Sequence, residues 1–559
     1  MKKFLKPLLS ATLCMTTVFS AAGCVANTGN NLPQNLDVYL LYKGYQDEWL
    51  TSALQAFEKE AWVKEKYPNF SYTYTFNQSD GFAGDKLAGG ASINSFDLMF
   101  GVNLGGLSGT NIIADLTDIV YNATIPEENV TVKSKIPEGI MNMAAYEKDN
   151  QTRYYTMCYV QGFWSMLYNK GLLDEISGTE GWIPVTTQEF LDVCADIKAT
   201  GYEFSDPTTN TTSTSHTAIM LAHNGYWNSA LPSWFAQYEG LQGWGDFFNG
   251  YYEEEISAKV MMMKGRLRAL QVIEDIFESG YGYEKASEKD YIFAQTNFLA
   301  GNGVFHYNGD YFVSEMSDAI DNLAAKGIDE DIRYMKMPVI SALVERLSFY
   351  NEADDADYDA LSADKKAAYD EKLANIVRDI DNNLLYSERS TANQDVTEND
   401  WAIVAEARQL AAYSTAGTQT AVIPDYSPSK ELAADFLKYM YSDKMLKNFV
   451  VSSGGNIIPS TTDWTQQPDV YDQIHDINKS KFSILNGTSN YPFLQNPPMT
   501  SYKLGRAGLK ILSAYTDRLE VEFMLPANQR NYTAQKIYDM DIAYWTESAW
   551  SQFIAGAGY

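Results

Sequence analysis

The chain has 559 residues, of which 72 are acidic and 42 are basic, so its formal net charge is −30. This excess of acid excludes nucleic acid as a partner, because phosphate recognition needs clustered lysine and arginine, and it disfavours electrostatic docking on an anionic membrane surface. A hydrophobic content of 45%, with 14% aromatic residues, is enough to bury a large core and excludes intrinsic disorder. Four cysteines are too few for a disulfide scaffold of this size.

Residues 1–23 predict a secretory signal peptide. Three lysines lie near the amino terminus, and residues 8–19 form a mostly apolar stretch that is too short to span a bilayer comfortably. The segment ends in small residues before Cys24, which resembles the bacterial lipoprotein signal, in which that cysteine becomes diacylated. The alternative is an ordinary signal peptide that happens to carry a cysteine.

Lipidation of Cys24 would hold the mature chain at the cell membrane, facing the extracellular side, because two acyl chains anchor a protein stably. Residues 24–35 are polar and contain Asn, Gly and Pro, which is typical of a flexible tether. No later stretch reaches about 18 consecutive apolar residues, so we expect nothing else in the sequence to span the membrane.

Predicted strands and helices alternate after the tether. Residues 36–42, 70–76 and 95–100 are short runs rich in β-branched, aromatic or apolar residues, which predicts strands. Between the first two runs, apolar residues recur at the spacing of a helix, namely Leu50, Ala53, Leu54 and Phe57. This alternation predicts βαβ units and a mostly parallel sheet, in which ligands lie outside the carboxyl ends of the strands.

Two segments in the middle of the chain are strongly polar. Residues 205–217 are nearly all Ser, Thr, Asn and Asp, which predicts a loop. Residues 351–400 hold 14 acidic residues against 5 basic ones. We interpret the second segment as part of a solvated acidic insertion over about 344–400.

The acidic insertion also contains a helix signal and leaves one question about metal. Ser362 caps a predicted helix that runs through Leu373. Calcium stays open as an alternative, because acids alternate there as in a calcium loop, although the loop's usual glycine and glutamate are absent. The alternating acids are Asp355, Asp357 and Asp359.

Two helices are predicted towards the carboxyl terminus. In the first, Ser427 is the cap and Pro428 the first helical residue. Its buried face consists of Leu432, Phe436, Leu437 and Met440. Residues 533–553 have the pattern of another amphipathic helix.

Signatures of catalysis are missing from the sequence, which contains no G-x-S-x-G, H-E-x-x-H, P-loop or G-x-G-x-x-G motif. The histidines lack metal-ligand spacing and are expected to be hydrogen-bonded structural residues: His216, His223, His306 and His475. Cys158 and Cys194 are either paired or buried free thiols. We therefore expect no catalytic residue, no metal and no cofactor.

Residues 223–252 are the most aromatic segment, with ten aromatic side chains among Asn, Gln and Asp. The flat C–H faces of pyranose rings lie on indole and phenol rings, and sugar hydroxyls need the donors and acceptors that amides and carboxylates supply. The segment therefore fits a sugar site, with core packing as the alternative. Core packing is favoured for Trp234 and Phe235, which lie close to Leu231 in sequence.

Five segments carry motifs that are weak alone but specific together. They are an opening strand and helix over 36–60 that ends in AFEKE, SFDLMF at 95–100 with IADLTD at 113–118, MLYNK at 166–170 with PVTTQEF at 184–190, NFLAG at 297–301 with NGDY at 308–311, and TAVIP at 420–424 with SKELA at 429–433. In this order they resemble the family 1 extracellular solute-binding proteins of the maltose-binding type, which feed carbohydrate ABC importers.

The resemblance implies an α/β, two-lobed periplasmic-binding-protein-like fold of type II, with a ligand cleft between lobes joined by a hinge. The first lobe is expected to comprise residues 36–153 and the return segment 419–462. The second lobe is expected to comprise residues 154–418 and 463–559. The chain is longer than typical members, and the acidic insertion at about 344–400 accounts for part of the excess.

The same resemblance implies which residues line the cleft. The ligand-binding residues carried over from the family are Tyr42, Lys43, Tyr45, Asn103, Gln161, Phe163, Trp164, Asn224, Tyr226, Trp227, Asp310 and Tyr311. Tyr311 stands where the family usually has a stacking tryptophan, and because a tyrosine still stacks, we expect the change to alter affinity rather than function. For each residue the alternative is core packing.

The sequence therefore predicts a substrate-binding lipoprotein of a carbohydrate ABC transporter. It would capture a soluble oligosaccharide outside the cell and deliver it to the membrane permease subunits, as a monomer and without chemistry. Two alternatives stay open. One is a secreted polysaccharide-degrading glycoside hydrolase or lyase, which needs two working carboxylates, and the other is a surface glycan adhesin.

Overall fold

The computed structural model of the chain describes residues 32–41, 44–77, 83–101, 107–222, 226–351, 355, 358–414, 419–485, 525 and 529–556. The predicted signal peptide, Cys24 and most of the predicted tether lie outside these residues. Within the described ranges, no helix has the length and apolar character that crossing a bilayer requires.

Strands and helices alternate along most of the described chain. The strands are β1 (Asn35–Leu41), β2 (Ser71–Asn77), β3 (Leu98–Phe100), β4 (Ala145–Lys148), β5 (Gln151–Tyr154), β6 (Met157–Cys158), β7 (Phe163–Asn169), β8 (Tyr202–Asp206), β9 (Thr211–Ser215), β10 (Tyr251–Tyr252), β11 (Glu255–Ile256), β12 (Phe305–Gly309), β13 (Ile332–Met335), β14 (Tyr413–Ser414) and β15 (Thr420–Val422). The helices are α1 (Glu48–Lys59), α2 (Ala61–Lys66), α3 (Ala83–Ala88), α4 (Val132–Lys135), α5 (Glu138–Ala144), α6 (Lys170–Ser177), α7 (Thr187–Thr200), α8 (Leu231–Asn249), α9 (Lys264–Glu278), α10 (Tyr291–Leu299), α11 (Phe312–Glu315), α12 (Ser317–Ala324), α13 (Ala363–Asp381), α14 (Glu398–Gln409), α15 (Lys430–Met440), α16 (Asp443–Ser452), α17 (Pro468–Tyr471), α18 (Asp476–Leu485), α19 (Ala534–Tyr544) and α20 (Glu547–Gly556).

The first sheet has the strand order β2-β1-β3-β15-β6. β1 runs parallel to β2 and β3, whereas β15 is antiparallel to β3 and β6. β1 and β2 match the predicted strands to within a residue, and β3 occupies only the last part of its predicted run. The predicted helix is confirmed as α1, which packs against α16. Its apolar face is buried as expected: Leu50, Ala53, Leu54 and Phe57.

The second sheet is built around β7, which pairs with β12, β13 and β14. All three pairings are antiparallel, so the expectation of a mostly parallel sheet is wrong here. β12 begins opposite the end of β7 and ends opposite its start, so the two strands run in opposite directions. One hydrophobic cluster spans both sheets, since Leu40 and Phe100 belong to it together with Leu167 and Tyr334.

The chain passes from one sheet to the other between Cys158 and Phe163. β6 ends in the first sheet at Cys158, and β7 begins in the second sheet at Phe163. We call residues 159–162 the crossing segment. The sheets therefore separate several residues after the predicted start of the second lobe at 154. The exact lobe boundaries stay a proposal.

The prediction of a loop over 205–217 is wrong. β8 and β9 form an antiparallel hairpin there, with a turn in which the Asp206 carboxylate accepts the amide of Thr208 at 2.7 Å and Asn210 has a left-handed φ of 54°. The run is polar because its strands are largely exposed, yet threonine is β-branched and suits an extended strand.

The predicted carboxyl-terminal helices differ in their bounds. α15 begins at Lys430, not at Pro428. The Ser427 hydroxyl donates to the Asp97 carboxylate at 2.6 Å and accepts the amide of Ser429 at 3.0 Å, so it holds a turn that precedes the helix. The predicted buried face is confirmed. The region predicted as one helix over 533–553 is two, α19 and α20, interrupted at Trp545 and Thr546.

The acidic insertion is not simply solvated. The predicted cap is confirmed, since the Ser362 hydroxyl accepts the amide of Lys365 at the start of α13, but the helix runs on to Asp381. α13 packs against α14 and buries Leu373, Ile376 and Val377 in the core. The segment thus contributes apolar surface to the hydrophobic cluster that contains Met166 and Tyr168 of β7, despite its charge.

Two of the three alternating acids bind side chains of the protein. Asp355 forms an ion pair with Lys365 and accepts the hydroxyl of Tyr369 at 2.8 Å. Asp359 pairs with Arg268 at 2.5 Å. Asp357 lies outside the described residues. In the described chain no group of three or more His, Cys, Asp or Glu side chains is placed to hold a metal ion.

Candidate ligand-binding site

The predicted site residues of the first sheet follow its parallel strands. Tyr42 and Lys43 come directly after β1 in the sequence, and Asn103 comes after β3, and these two parallel strands end at the same edge of the sheet. These three residues and Asn224 lie outside the described residues, and their part in binding stays a prediction. Tyr45 is described, and it is buried.

The predicted residues of the second sheet meet at one of its edges. β7 begins with Phe163 and Trp164, and Gly309 at the end of β12 lies opposite Trp164. The antiparallel pairing therefore brings Asp310 and Tyr311 beside the start of β7. The crossing segment, which contains Gln161, enters the same edge.

Trp164 is the centre of an aromatic cluster at this edge. Its ring centroid lies 4.5 Å from that of Tyr226, 5.6 Å from that of Tyr311 in an edge-to-face contact, and 6.1 Å from that of Tyr307 in a stacked contact. Trp164 and Tyr226 are only partly buried, so they are the rings of this group that a ligand can reach.

Tyr291 extends the aromatic cluster and was missed by sequence reasoning. It is 39% exposed and lies 6.2 Å from Tyr226, at the first residue of α10. Asp290 caps this helix by accepting the amide of Phe293 at 2.8 Å. The cap residue was a usable signal for the start of the helix, but the place of Tyr291 beside the sheet edge depends on long-range packing.

Trp227 and Phe163 are buried among other rings. Trp227 is 2% exposed, and its ring lies 5.2 Å from Tyr307 and 6.4 Å from Trp234. Phe163 is 1% exposed and contacts Tyr334 at 5.7 Å. Both side chains pack in the interior beside the aromatic cluster. Neither is exposed at the surface of this structure, and their predicted contact with ligand stays a prediction.

Tyr311 is held in place by two glycines. A Cβ added to Gly44 would lie 2.5 Å from the Tyr311 ring, and one added to Gly309 would lie 2.3 Å from it, so neither position has room for a side chain. Gly44 also has a left-handed φ of 88°. The ring is 8% exposed, and burial is the main cause that raises the pKa of its hydroxyl.

The Asp310 carboxylate points into the protein. Its Oδ1 accepts the hydroxyl of Tyr45 at 2.8 Å and the amide of Phe163 at 3.3 Å. Lys481 Nζ lies 4.0 Å from its Oδ2 and donates to its carbonyl oxygen at 3.0 Å. Burial raises the pKa of Asp310 and lowers that of Lys481 to about 8. A direct contact of this carboxylate with ligand stays a prediction.

Gln161 is a buried amide with unused hydrogen-bonding groups. Its backbone amide donates to the carbonyl of Ile457 at 2.7 Å, and its side chain is 1% exposed. Neither Oε1 nor Nε2 has a hydrogen-bond partner among the described residues. A buried amide in this state can accept one hydroxyl and donate to another without displacing a protein contact.

The two remaining cysteines are free. Cys158 is in β6 and Cys194 is in α7, and both are buried. Burial raises the pKa of each thiol, so neither is a reactive nucleophile in this structure. The question that the sequence left open is therefore answered in favour of free thiols.

Comparison with known proteins identifies the family. A family model described as bacterial extracellular solute-binding protein matches residues 47–447. The chain belongs to this family. The resemblance seen in the sequence motifs is thereby confirmed, and the name of the family implies a location outside the cytoplasmic membrane. Among curated proteins, none matches the chain.

Solved structures share the fold of this extracellular solute-binding protein at low sequence identity. A chitin oligosaccharide binding protein is 15% identical with a TM-score of 0.52, covering 92% of this chain and 99% of its own. A structure titled for xylan utilization by Caldanaerobius polysaccharolyticus is 15% identical with a TM-score of 0.52, covering 92% and 100%. Apo RafE from Streptococcus pneumoniae is 12% identical with a TM-score of 0.52, covering 92% and 99%. The two-lobed α/β fold is confirmed.

Proposed function

We propose that the chain binds a soluble oligosaccharide at the edge of the second sheet that carries Trp164. The observation that supports this function is a set of reachable rings, Trp164, Tyr226 and Tyr291, with the unpartnered buried amide of Gln161 three residues before the first of them. The rings offer flat faces to sugar C–H groups. The Gln161 amide is 1% exposed and offers its donor and acceptor to hydroxyls once movement of the lobes uncovers it.

Two features favour an oligosaccharide among the solutes that such a site could take. Solved structures of the same fold include a chitin oligosaccharide binding protein and a protein from a study of xylan utilization. Several rings lie side by side at this edge, and each can serve one sugar unit. A net charge of −30 does not repel a neutral glycan.

We further propose that the bound sugar is delivered to the permease subunits of an ABC importer. Membership of the solute-binding family supports this role, and the small residues before Cys24 support a lipid anchor at the outer face of the membrane. The chain would act as a monomer without a cofactor. Incorporation of labelled palmitate, lost in Cys24→Ala, tests the anchor.

Titration of the purified protein with a panel of soluble oligosaccharides tests the proposed ligand. Binding should change tryptophan fluorescence, and Trp164→Ala should weaken it about tenfold, since a ring contact contributes roughly 1.5 kcal/mol. The matched control is Trp62→Ala, another partly buried tryptophan, which packs on Phe57 in the first lobe. Its affinity should equal that of the unmodified protein.

Three outcomes would contradict the proposed function or the proposed site. Binding of peptides with no response to any glycan would reject the sugar assignment. Shortening of the glycan during incubation would favour a hydrolase or lyase, whereas a binding protein leaves the chain length unchanged. Equal losses in Trp164→Ala and Trp62→Ala would place the binding site elsewhere.

A further inference from the structure

A buried hydrogen bond joins the two sheets next to the aromatic cluster. Tyr45 follows β1 of the first sheet, and Asp310 follows β12 of the second. The Tyr45 hydroxyl donates to Asp310 Oδ1 at 2.8 Å, and the two residues are 3% and 2% exposed. A hydrogen bond to a carboxylate in such a dry place is stronger than the same bond at the surface.

A second polar contact lies beside this bond. Lys481, in α18 against β13, donates from Nζ to the Asp310 carbonyl and to Asn456 Oδ1, both at 3.0 Å. Asn456 comes shortly after α16, which packs on α1, and its Nδ2 donates to Ser314 Oγ at 2.9 Å. Groups from both sheets therefore converge on Asp310.

The crossing segment passes through the same place. The amide of Phe163, at its end, donates to Asp310 Oδ1 at 3.3 Å, and the amide of Asp310 donates back to the Phe163 carbonyl at 2.9 Å. The crossing segment is one of the places where the chain passes between the sheets, so a bond anchored here lies close to a point about which they can turn.

We infer that Asp310 is a positioning residue, and that its hydrogen bond from Tyr45 ties the first lobe to the second and limits their relative movement. The bond also fixes Tyr311, the next residue, whose ring meets that of Tyr45 edge-on at 5.7 Å. The carboxylate thus acts on the site through Tyr311 and through the lobes, not by touching the solute. This role holds whichever solute the protein binds.

Tyr45→Phe tests whether this hydrogen bond limits the movement of the lobes, because it removes the hydroxyl and keeps the ring. The matched control is Tyr67→Phe. Tyr67 is 1% exposed and donates to Asp435 Oδ2 at the same distance of 2.8 Å, but both residues lie in helices or loops that pack on the first sheet. Both variants lose a buried tyrosine-to-carboxylate bond, and only the first loses one between the sheets.

Hydrogen exchange and small-angle scattering of the ligand-free protein measure the effect. In Tyr45→Phe the amides of residues 159–164 should exchange about tenfold faster, because the free energy of one buried hydrogen bond to a charged group corresponds to about a tenfold change in the opening equilibrium. The radius of gyration should also rise. Tyr67→Phe should change neither quantity. Identical hydrogen exchange and scattering in Tyr45→Phe and Tyr67→Phe would overturn the inference that the Tyr45–Asp310 bond limits movement of the lobes.

Substitution of Asp310 separates hydrogen bonding from simple loss of packing. Asp310→Asn keeps an acceptor for Tyr45 and should keep the scattering curve of the unmodified protein, whereas Asp310→Ala should resemble Tyr45→Phe. Asp310→Ala also removes the acceptor of the Phe163 amide and the carboxylate beside Lys481, so its effect should be at least as large as that of Tyr45→Phe. Adding Tyr45→Phe to Asp310→Ala should change nothing further, because Asp310→Ala already removes the bond that they share. A scattering curve for Asp310→Asn that matches Asp310→Ala would overturn the inference.

Discussion

His306 in β12 is neutral in the folded protein. Its Nδ1 lies 2.9 Å from the carbonyl oxygen of Met220, which can only accept, so Nδ1 carries the proton. Its Nε2 lies 3.0 Å from Asn308 Nδ2, and Asn308 is oriented because its Oδ1 accepts the amide of Gly309 at 2.7 Å. Nε2 therefore accepts a hydrogen bond, and burial lowers the pKa of His306 to about 4.

This lowered pKa predicts a loss of stability in mild acid. Between pH 6.5 and pH 4 the unfolded chain binds a proton at His306 that the folded chain does not, so the free energy of unfolding falls as the pH falls. The loss should reach about 3 kcal/mol, which is the difference in pKa expressed as free energy. Urea unfolding of the unmodified protein and of His306→Gln at pH 7, 5 and 4 measures this contribution by difference, because Asp275 and Asp370, whose pKa values burial raises to about 6, act in the opposite direction.

Two variants control the measurement on His306. His306→Gln should flatten the dependence on pH, because an amide can both donate and accept in place of the neutral ring. His216→Gln is the comparison variant, because it removes an exposed histidine whose Nδ1 lies 2.9 Å from the Lys198 carbonyl oxygen. If the free energy of unfolding depends on pH equally in all three proteins, His306 is not the group that lowers stability in acid.

Burial separates aromatic residues that the sequence pattern could not separate. The segment 223–252 was chosen for its aromatic content, but α8 buries most of its rings, including Trp234, Phe235 and Trp244. A helix that is apolar on all sides is a core helix, and composition alone does not distinguish it from a stacking surface. Among the described rings of this segment, Tyr226, before the helix, is the one that is partly exposed and also contacts Trp164.

Helices and strands were predictable where the spacing of apolar residues along the chain determines which face is buried. The helical spacing of apolar residues predicted α1, because its buried face is also its only apolar face. The start of α15 was placed too early because Ser427 and Ser429 form a turn before the helix, in which the Ser427 hydroxyl accepts the amide of Ser429 and donates to Asp97, a partner far away in sequence. The pairing of β12 with β7 is likewise a long-range contact, so neither the antiparallel second sheet nor the place of Tyr291 beside it was visible in local pattern.

At the scale of elements, one buried ion pair attaches α19 to α9. Arg266 is 1% exposed and Asp541 is 0% exposed, and their Nη2 and Oδ2 atoms lie 2.5 Å apart. Arg266→Met should lower the free energy of unfolding by roughly 3–5 kcal/mol, because it leaves the Asp541 carboxylate buried without its cation. Urea unfolding checks the value.

The contribution of the ion pair can be tested by replacing both of its residues with apolar ones. Arg266→Met combined with Asp541→Leu should recover most of the lost stability, since no unpaired charge is then buried. Lys447→Met serves as the control, because Lys447 and its partner Asp469 are both exposed, and its effect should stay below about 1 kcal/mol. A double variant no more stable than Arg266→Met would reject this account.

For the whole molecule, acidic charge is only partly balanced by ion pairs. Within the acidic insertion, Asp381 pairs with the buried Arg408 and Asp395 pairs with Lys372. Such pairs neutralise individual acids, but the chain still carries a net charge of −30. Like charges spread over a compact body repel one another more strongly in the folded state than in the expanded unfolded chain.

Salt should therefore stabilise the protein. Raising the ionic strength from 0.01 M to 0.15 M shortens the screening length from about 30 Å to about 8 Å, which weakens repulsion across the surface while leaving buried pairs such as Arg266–Asp541 little affected. The melting temperature should rise with sodium chloride and equally with potassium chloride, because the effect depends on charge alone. A fall in melting temperature would mean that screening weakens exposed ion pairs more than it weakens repulsion among the excess acids.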